Sequence, residues 1–200
     1  MLVAIILAAG DSTRMGRPKA LLPDPDGRPF VARLALTFSS AGIDRIVIVT
    51  GLLHDAIASA IAAEAPAAET QCAQNPDPSR GQLSSLWVGL DAAGAHAEGI
   101  LMIPVDIPLV RESTIREVVD AWRRTHAPIV RPAVGERHGH PVLFDRSTFD
   151  ALRHAPLNEG ARVVVHANAN RVINVAVDDE GCLVDVDTPA EYEGMIGKKI

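Results

Sequence analysis

The stretch Leu2-Val-Ala-Ile-Ile-Leu7 is an unbroken apolar run that leads through two alanines to Gly10. A continuous run of this kind is typical of a strand buried on both faces of a parallel sheet. The pattern recurs in Arg45-Ile-Val-Ile-Val-Thr50, which also ends at a glycine, and in Gly99-Ile-Leu-Met-Ile103. Because proline removes a donor from a strand ladder, we expect the third strand to end at Pro104 or to lie at an edge.

Helical patterns separate these strands, over residues 29–41, 54–64, 82–93 and 113–124. Alternation of strand and helix through the first 130 residues predicts an α/β domain with a mainly parallel sheet. The pattern then becomes less regular. The remaining predicted elements are strands at 128–131, 141–144 and 171–175, a helix near 158–166, and a last short helix opening at the capping-box pattern of Thr188. The sequence has no repeat and no linker, so we expect one domain over residues 1–200.

The composition describes a chain that buries a core and is poorly suited to nucleic acid. Hydrophobic residues make up 48% and charged residues 22%, which excludes a disordered chain. The formal net charge is −6, whereas nucleic-acid binders gain affinity by neutralising phosphates. The first apolar run is far shorter than the roughly 20 residues of a membrane span and lacks a basic flank, so we expect neither a membrane segment nor a signal peptide. Cys72 and Cys182 are too few for a disulfide framework, and we expect a cytoplasmic protein.

The loop after the first strand concentrates positive charge beside small residues. Only three of the 19 basic residues are lysines, and two of them, Lys198 and Lys199, lie at the end of the chain. The third, Lys19, follows Arg14 and Arg17 in this loop. Ligands of open α/β sheets bind at this edge, and a lysine acts as a compact point charge on a phosphate. The loop lacks the P-loop and dinucleotide glycine patterns, so a phosphate site and a solvated surface loop both stay open at this point.

The same loop carries a longer motif that resembles a known family. Its segments, in order, are Leu7-Ala-Ala-Gly10, Ser12, Arg14-Met-Gly16, Pro18-Lys19 and Leu21-Leu-Pro23. This succession is similar to the signature of the nucleotidyltransferases, and within them to the molybdenum-cofactor group of the MobA-like NTP transferases, in its cytidylyl branch. The resemblance implies a three-layer Rossmann-like α/β fold with a mainly parallel central sheet. It also implies a loop that wraps a nucleotide triphosphate, with contacts from Leu7, Ala8, Ala9, Gly10, Arg14 and Lys19.

Two aspartates correspond to the metal site of that family. Asp106 follows the third strand and matches the family's Asp-x-Pro motif, with Ile107 where the family usually has glutamine. Asp187 lies in an Asp-Thr-Pro segment like the one whose aspartate completes the family's site, and Asp185 is the fallback. Read from the residues alone, a turn or helix-capping role is the alternative for each aspartate. Mg²⁺ prefers one or two carboxylates plus substrate phosphates, so the resemblance implies Asp106 and Asp187 as its ligands.

Two further segments supply candidates for binding the base and the acceptor. Residues 74–85 resemble the family's base- and ribose-binding segment, where the candidates are Asn75, Gly81, Gln82 and Ser84. Composition by itself describes a polar loop with serine caps there. The segment Gly139-His-Pro141 resembles the family's acceptor-side motif, which implies acceptor binding by His140. A lone histidine more often serves as an ordinary hydrogen-bonding residue.

The resemblance as a whole implies a magnesium-dependent nucleotidyltransferase. A phosphate of the acceptor attacks the α-phosphorus of a nucleoside triphosphate, which is CTP on the resemblance, and pyrophosphate leaves. Arg14, Lys19 and Asp106 are the expected catalytic residues. The expected acceptor is a molybdopterin-type phosphate, and a molybdoenzyme or its chaperone is a further partner that the resemblance suggests. Two other functions stay open: transfer to a sugar, polyol or phospho-acid phosphate, and a non-catalytic nucleotide sensor.

Overall fold

The computed structural model describes residues 1–65 and 68–197 of the chain. Its strands are β1 (Leu2–Ala8), β2 (Arg45–Thr50), β3 (Thr70–Gln74), β4 (Gly99–Pro104), β5 (Ile129–Val134), β6 (Arg137–His138), β7 (Val142–Asp145) and β8 (Val172–Ala176). Its helices are α1 (Phe30–Ser40), α2 (His54–Glu64), α3 (Gln82–Ala93), α4 (Glu112–Thr125), α5 (Phe149–His154), α6 (Arg162–Ala167) and α7 (Pro189–Ile196). Lys198 and Lys199 lie outside the described residues.

The strands form one mixed sheet in the order β3-β2-β1-β4-β7-β5-β6, with β8 also paired to β5. β1 runs parallel to both β2 and β4, and β3 runs parallel to β2. β7 is antiparallel to β4 and β5, whereas β8 is parallel to β5. The predicted mainly parallel α/β sheet is therefore confirmed, with the antiparallel pairings confined to the half where the sequence pattern becomes irregular.

Helices cover both faces of the sheet because successive residues of β1 point to opposite sides. Ala4 and Ile6 belong to the core that β1 shares with α1, α2, α4 and α7. Val3 and Ile5 belong to the core on the other face, with α3, α5 and α6. A Cβ on Gly89 of α3 would lie only 2.6 Å from Ile5 Cγ2, so α3 packs onto β1 at a distance that a side chain at this position would obstruct. This is the three-layer arrangement expected of the family.

The three apolar strands of the first half end together. Leu7 is paired with Val49 on one side and with Pro104 on the other. β4 ends at Pro104, which confirms that the strand stops at the proline. It lies between β1 and β7, so the alternative of an edge position is wrong. At Gly51, just beyond β2, a Cβ would lie 2.6 Å from the Ala9 carbonyl oxygen, because the loops that follow β1 and β2 approach closely.

Some elements do not follow from the sequence pattern. β3 has the sequence Thr-Gln-Cys-Ala-Gln and is half exposed at the sheet edge, so no apolar run marks it. α5 was not predicted, and α6 begins at Arg162, four residues later than expected. The last helix is confirmed with its capping box at Thr188. The single domain over residues 1–200 stays a prediction.

Over the described ranges, none of the helices has the length and apolar character needed to cross a membrane.

Candidate active site

A cavity of about 330 Å³ opens where β1, β2 and β4 end. Parallel sheets bind ligands at this edge, because loops from neighbouring strands meet there. Of the predicted nucleotide-binding residues, eight line the cavity: Leu7, Ala8, Ala9, Gly10, Arg14, Lys19, Gly81 and Gln82. Asp106 also lines it. The structure therefore brings the first loop, the segment before α3 and the β4 aspartate to one place.

The first loop is folded around Ser12. The Ser12 carbonyl accepts hydrogen bonds from the backbone N–H groups of Met15 and Gly16 at 3.0 and 3.1 Å. The Ser12 side-chain Oγ accepts another from the backbone N–H of Lys19 at 3.0 Å. Ser12 has a φ of 51°, a left-handed conformation that is uncommon for serine. Met15 is 4% exposed and belongs to the core beneath the loop. These contacts fix the conformation of the loop and place Lys19 at the cavity.

Lys19 lies between two carboxylates. Its Nζ donates a hydrogen bond to Asp106 Oδ2 at 2.9 Å and another to Asp187 Oδ1. Arg14 Nη2 pairs with the second oxygen of Asp187 at 2.8 Å. The side chain of Lys19 is 11% exposed, whereas those of Asp187 and Asp106 are 22% and 24% exposed. Lys19 is thus nearly enclosed, whereas both carboxylates are partly exposed and Asp106 lines the cavity.

The charges of this cluster stabilise one another. Burial alone would lower the pKa of Lys19, but its hydrogen bonds with Asp187 and Asp106 outweigh burial and raise that pKa above its usual value. The hydrogen bond from Lys19 holds the pKa of Asp187 below its usual range, and the charges of Lys19 and Arg14 add to this. Lysine and aspartate are therefore both ionised at neutral pH.

Asp187 reaches the cluster through an irregular segment. Residues 184–187 form neither helix nor strand, and the N–H of Val186 donates to the Asp106 carbonyl at 2.8 Å. This bond places Asp187 beside Asp106. Asp185, the fallback ligand, is exposed, and the charge of its carboxylate acts on the His140 ring instead.

The two carboxylates suit a divalent ion that binds together with a phosphate ligand. Within residues 1–65 and 68–197, no group of three or more His, Cys, Asp or Glu side chains is placed to hold a metal. Mg²⁺ does not need one, because it is usually bound by one or two carboxylates, waters and substrate phosphates. Asp106 and Asp187 converge on a single cation, the Lys19 ammonium group, so their oxygens already share one cationic partner. The donor set fits the predicted ion.

The segment before α3 divides into residues at the cavity and residues beneath it. Gly81, with a φ of 95°, begins α3 and lines the cavity together with Gln82. Asn75 and Ser84 are each 4% exposed, and the Asn75 side chain donates to the Oγ atoms of Ser84 and Ser85 at 3.0 Å. Asn75 thus joins the end of β3 to the start of α3. Ser85 lines the cavity and was not among the predicted residues.

The apolar side of the cavity was also missed by sequence reasoning. Leu53 and Ile57, at the start of α2, also line it. Leu53 is 42% exposed and its neighbour Leu52 is 85% exposed. The only signal in the sequence was that these leucines directly follow the glycine that ends the second apolar run, at the same sheet edge as the loop.

His140 lies apart from the residues that line the cavity. Its backbone N–H donates to the Cys182 carbonyl at 2.9 Å, and a Cβ on the preceding Gly139 would lie 2.5 Å from that oxygen. Burial lowers the pKa of His140 to about 4, against a smaller opposing effect of Asp185. The ring is therefore neutral at neutral pH and can donate or accept a hydrogen bond, but it does not supply a positive charge for a phosphate.

The fold is that of the nucleotidyltransferases: helices cover both faces of a mainly parallel sheet, and a small-residue loop with basic side chains lies at its carboxyl edge. The MobA-like NTP transferase domain matches residues 4–173. The chain belongs to this family of nucleotidyltransferase enzymes. The matched region includes the loop, Lys19 and Asp106 and ends before Asp187.

Two curated relatives carry different names. A "probable molybdenum cofactor guanylyltransferase" of Rhodopirellula baltica is 32% identical over 136 residues, which cover 64% of this chain and 59% of that protein. The chain thus matches less than two thirds of the length of that relative. The nicotine blue oxidoreductase of Paenarthrobacter nicotinovorans is 33% identical over 192 residues, covering 92% of this chain and 91% of that protein.

A solved structure extends the similarity over nearly the whole chain. Rv0371c from Mycobacterium tuberculosis H37Rv superimposes with a TM-score of 0.80 at 28% identity, covering 98% of both chains. The complex of that protein with manganese gives a TM-score of 0.75 at 26% identity.

Proposed function

We propose that this protein transfers a nucleoside monophosphate from a nucleoside triphosphate to a phosphate acceptor and releases pyrophosphate. The observation that carries the proposal is the cluster of Lys19, Asp106 and Asp187 at the mouth of a cavity lined by a small-residue loop. A cation for the leaving group and carboxylates for a divalent ion are what phosphoryl transfer needs besides positioning. A binding module has no need of the complete set.

Each residue has a defined task in this proposal. Ala8 and Ala9 carry only a methyl group and Gly10 has no side chain, so a triphosphate can approach the backbone there. Arg14 and Lys19 stabilise the charge that develops on the departing pyrophosphate. Asp106 and Asp187 hold the divalent ion, Mg²⁺, which when bound neutralises charge on the phosphates. The acceptor phosphate is already ionised near neutral pH, so the reaction does not require a general base.

The substrates are part of the same proposal. A molybdopterin-type phosphate is the proposed acceptor, with His140 on its side of the site and a molybdoenzyme or its chaperone as a further partner. The Leu-Ala-Ala-Gly form of the loop favours CTP, whereas the Rhodopirellula relative is named a guanylyltransferase. GTP therefore has to be compared directly with CTP. The free thiols of Cys72 and Cys182 support the proposed cytoplasmic location.

The test is a pyrophosphate-release panel. The purified protein is incubated with each of the four common NTPs and Mg²⁺, with molybdenum cofactor, sugar phosphates, polyol phosphates or no acceptor. We expect release only when nucleotide, metal and a molybdopterin-type acceptor are all present, with CTP preferred. Release with a sugar or polyol phosphate would show that the acceptor is not molybdopterin, while the nucleotidyl transfer itself would stand. Nucleotide binding without release for any pair would favour the sensor function.

A second candidate activity rests on the Paenarthrobacter relative, which matches almost the whole chain and is named an oxidoreductase. The same protein preparation is therefore assayed for reduction of nicotine blue, the compound in that relative's name, with common biological reductants. We expect no reduction above the rate measured without protein. Substantial reduction that does not require Lys19, together with no pyrophosphate release, would assign the chain to redox chemistry.

A further inference from the structure

The C-terminal helix makes an unusual contact with the segment that carries Asp187. Glu191 Oε2 accepts the N–H of Thr188 at 2.8 Å, and Thr188 Oγ1 accepts the N–H of Glu191 at 3.3 Å, which is the reciprocal pattern of a capping box. The same Oε2 also accepts the N–H of Asp187 at 2.9 Å. The capping carboxylate therefore fixes the backbone of the residue whose side chain meets Lys19 and Asp106.

The helix that supplies Glu191 is itself tied to the loop that supplies Lys19. Tyr192 is 3% exposed, and its hydroxyl donates to the Pro23 carbonyl at 2.8 Å. Its ring packs against Phe30, with the ring centroids 6.1 Å apart. Pro23 follows the short helical turn Lys19–Leu21. Helix α7 therefore contacts both parts of the site: Tyr192 holds Pro23, which follows Lys19 in the chain, and Glu191 holds the backbone of Asp187.

We propose that Glu191 is a positioning residue for the metal site: its carboxylate holds the backbone of Asp187 so that the Asp187 side chain meets Asp106. This inference rests on the proposed function, in which these two aspartates hold the divalent ion. Glu191 acts through geometry, because its Oε2 is engaged by two backbone donors and its charge is exposed to solvent. Those hydrogen bonds also lower the pKa of Glu191, so the acceptor is ionised at neutral pH.

The need for this contact follows from the irregular conformation of residues 184–187. Two hydrogen bonds hold the backbone of this stretch. The N–H of Val186 donates to the Asp106 carbonyl, and the N–H of Asp187 donates to Glu191 Oε2. Without the second anchor, Asp187 samples other backbone positions, and the two carboxylates converge for a smaller fraction of the time. Residues that orient metal ligands typically change metal affinity by about 10–100-fold when removed.

The experiment measures Mn²⁺ binding by electron paramagnetic resonance, with a non-hydrolysable CTP analogue present and no turnover. Glu191→Ala should weaken Mn²⁺ binding about tenfold. Glu191→Gln keeps a carbonyl oxygen that can accept both N–H groups, so we expect affinity within about threefold of wild type. Glu193→Ala, which removes an equal charge from the same helix, is the matched control and should bind Mn²⁺ normally.

Helix stability is separated from positioning by Thr188→Ala. This variant loses the cap on the Glu191 N–H but keeps both Glu191 bonds, so its melting temperature should fall while Mn²⁺ affinity stays near wild type. Wild-type Mn²⁺ affinity in Glu191→Ala, with or without a lower melting temperature, would overturn the inference. Affinity as weak in Glu191→Gln as in Glu191→Ala would also overturn it, since charge and not geometry would then be responsible.

An Asp187→Ala variant distinguishes this inference from the proposed function. If Asp187→Ala binds Mn²⁺ as tightly as wild type, the assignment of the carboxylate pair to the metal fails, and the positioning inference fails with it. If Asp187→Ala loses affinity and Glu191→Ala does not, the metal assignment stands and only the role of Glu191 is wrong.

Discussion

The Lys19→Met variant should change metal binding and catalysis in opposite directions. Lys19 Nζ is the cation that the two carboxylates share, at 2.9 Å from Asp106 Oδ2 and hydrogen bonded to Asp187. A divalent ion that takes the two carboxylates must replace it. Methionine has a similar length and no charge, so the competitor is removed with little loss of packing. Metal should then bind the nucleotide-free variant more tightly, while pyrophosphate release falls because a leaving-group cation is lost.

The size of the effect follows from the contacts. A hydrogen bond to a charged group contributes about 1.5–3 kcal/mol net, and the low end applies because Asp106 and Asp187 are each about one quarter exposed. A metal that takes both carboxylates displaces two such bonds, together about 3 kcal/mol, which corresponds to roughly a hundredfold change in affinity. We therefore expect Mn²⁺ to bind Lys19→Met on the order of a hundred times more tightly than wild type.

The control is Arg14→Met. Arg14 pairs with Asp187 at 2.8 Å but is 69% exposed, and an exposed ion pair is worth roughly 0.5 kcal/mol. Its Mn²⁺ affinity should change by only about twofold.

The assay titrates nucleotide-free protein with Mn²⁺ by electron paramagnetic resonance and follows thermal unfolding with and without Mn²⁺. Lys19→Met leaves two carboxylates without their lysine, so it should melt below wild type in the absence of metal and gain more from added Mn²⁺. Mn²⁺ affinity equal to or weaker than wild type, in a variant that still unfolds cooperatively, would show that lysine and metal do not compete for the same oxygens.

Three further predictions concern the site and the core around it. Asp106→Asn should reduce pyrophosphate release at least a hundredfold with an unchanged far-UV spectrum, and near-normal release would remove Asp106 from the metal site. Gly89→Ala should destabilise the fold by about 1–3 kcal/mol in urea unfolding, because the new Cβ would lie 2.6 Å from Ile5 Cγ2; an unchanged midpoint would show that the helix shifts freely. Burial would raise the pKa of Asp24, but hydrogen bonds from Arg33 and the backbone outweigh burial and lower it. The ionised Asp24 therefore makes its full contribution to the free energy of unfolding above about pH 4, and this contribution is lost as the pH falls through the lowered pKa. Asp24→Asn should therefore cost about 1.5–3 kcal/mol at pH 7 and progressively less below pH 4, whereas a gap to wild type that stays constant with pH would contradict this account.

Much of the first half could be predicted from the sequence because its strands are continuous apolar runs. Burial on both faces leaves the interiors of β1 and β2 without polar residues, so the pattern is unambiguous, and a glycine follows each run. The same runs locate the ligand edge of the sheet, and with it Lys19 and Asp106. β3 escaped prediction because it lies half exposed at the edge and has three polar residues in five.

The site itself shows the same division. Gly81 and Gln82 line the cavity, as the motif suggested. The same motif also suggested Asn75 and Ser84 as nucleotide contacts, but these two residues are buried and hydrogen bonded to each other. Sequence spacing does not distinguish a residue at a surface from one that supports it, because both belong to the same turn. Burial decides that, and burial depends on the neighbouring elements.

The class of fold, the loop with its lysine and the aspartate that follows β4 can be read from the sequence, because each is encoded in a run of adjacent residues. The resemblance of the Asp-Thr-Pro segment favoured Asp187 over Asp185, and the folded chain brings the Asp187 side chain to Lys19 while Asp185 stays exposed. Lys19 and Asp187 are 168 residues apart in the chain and are brought together by the bond from Val186 to Asp106 and by the packing of α7. Local pattern carries no information on contacts at that separation, since they are set by how the whole core closes around the sheet.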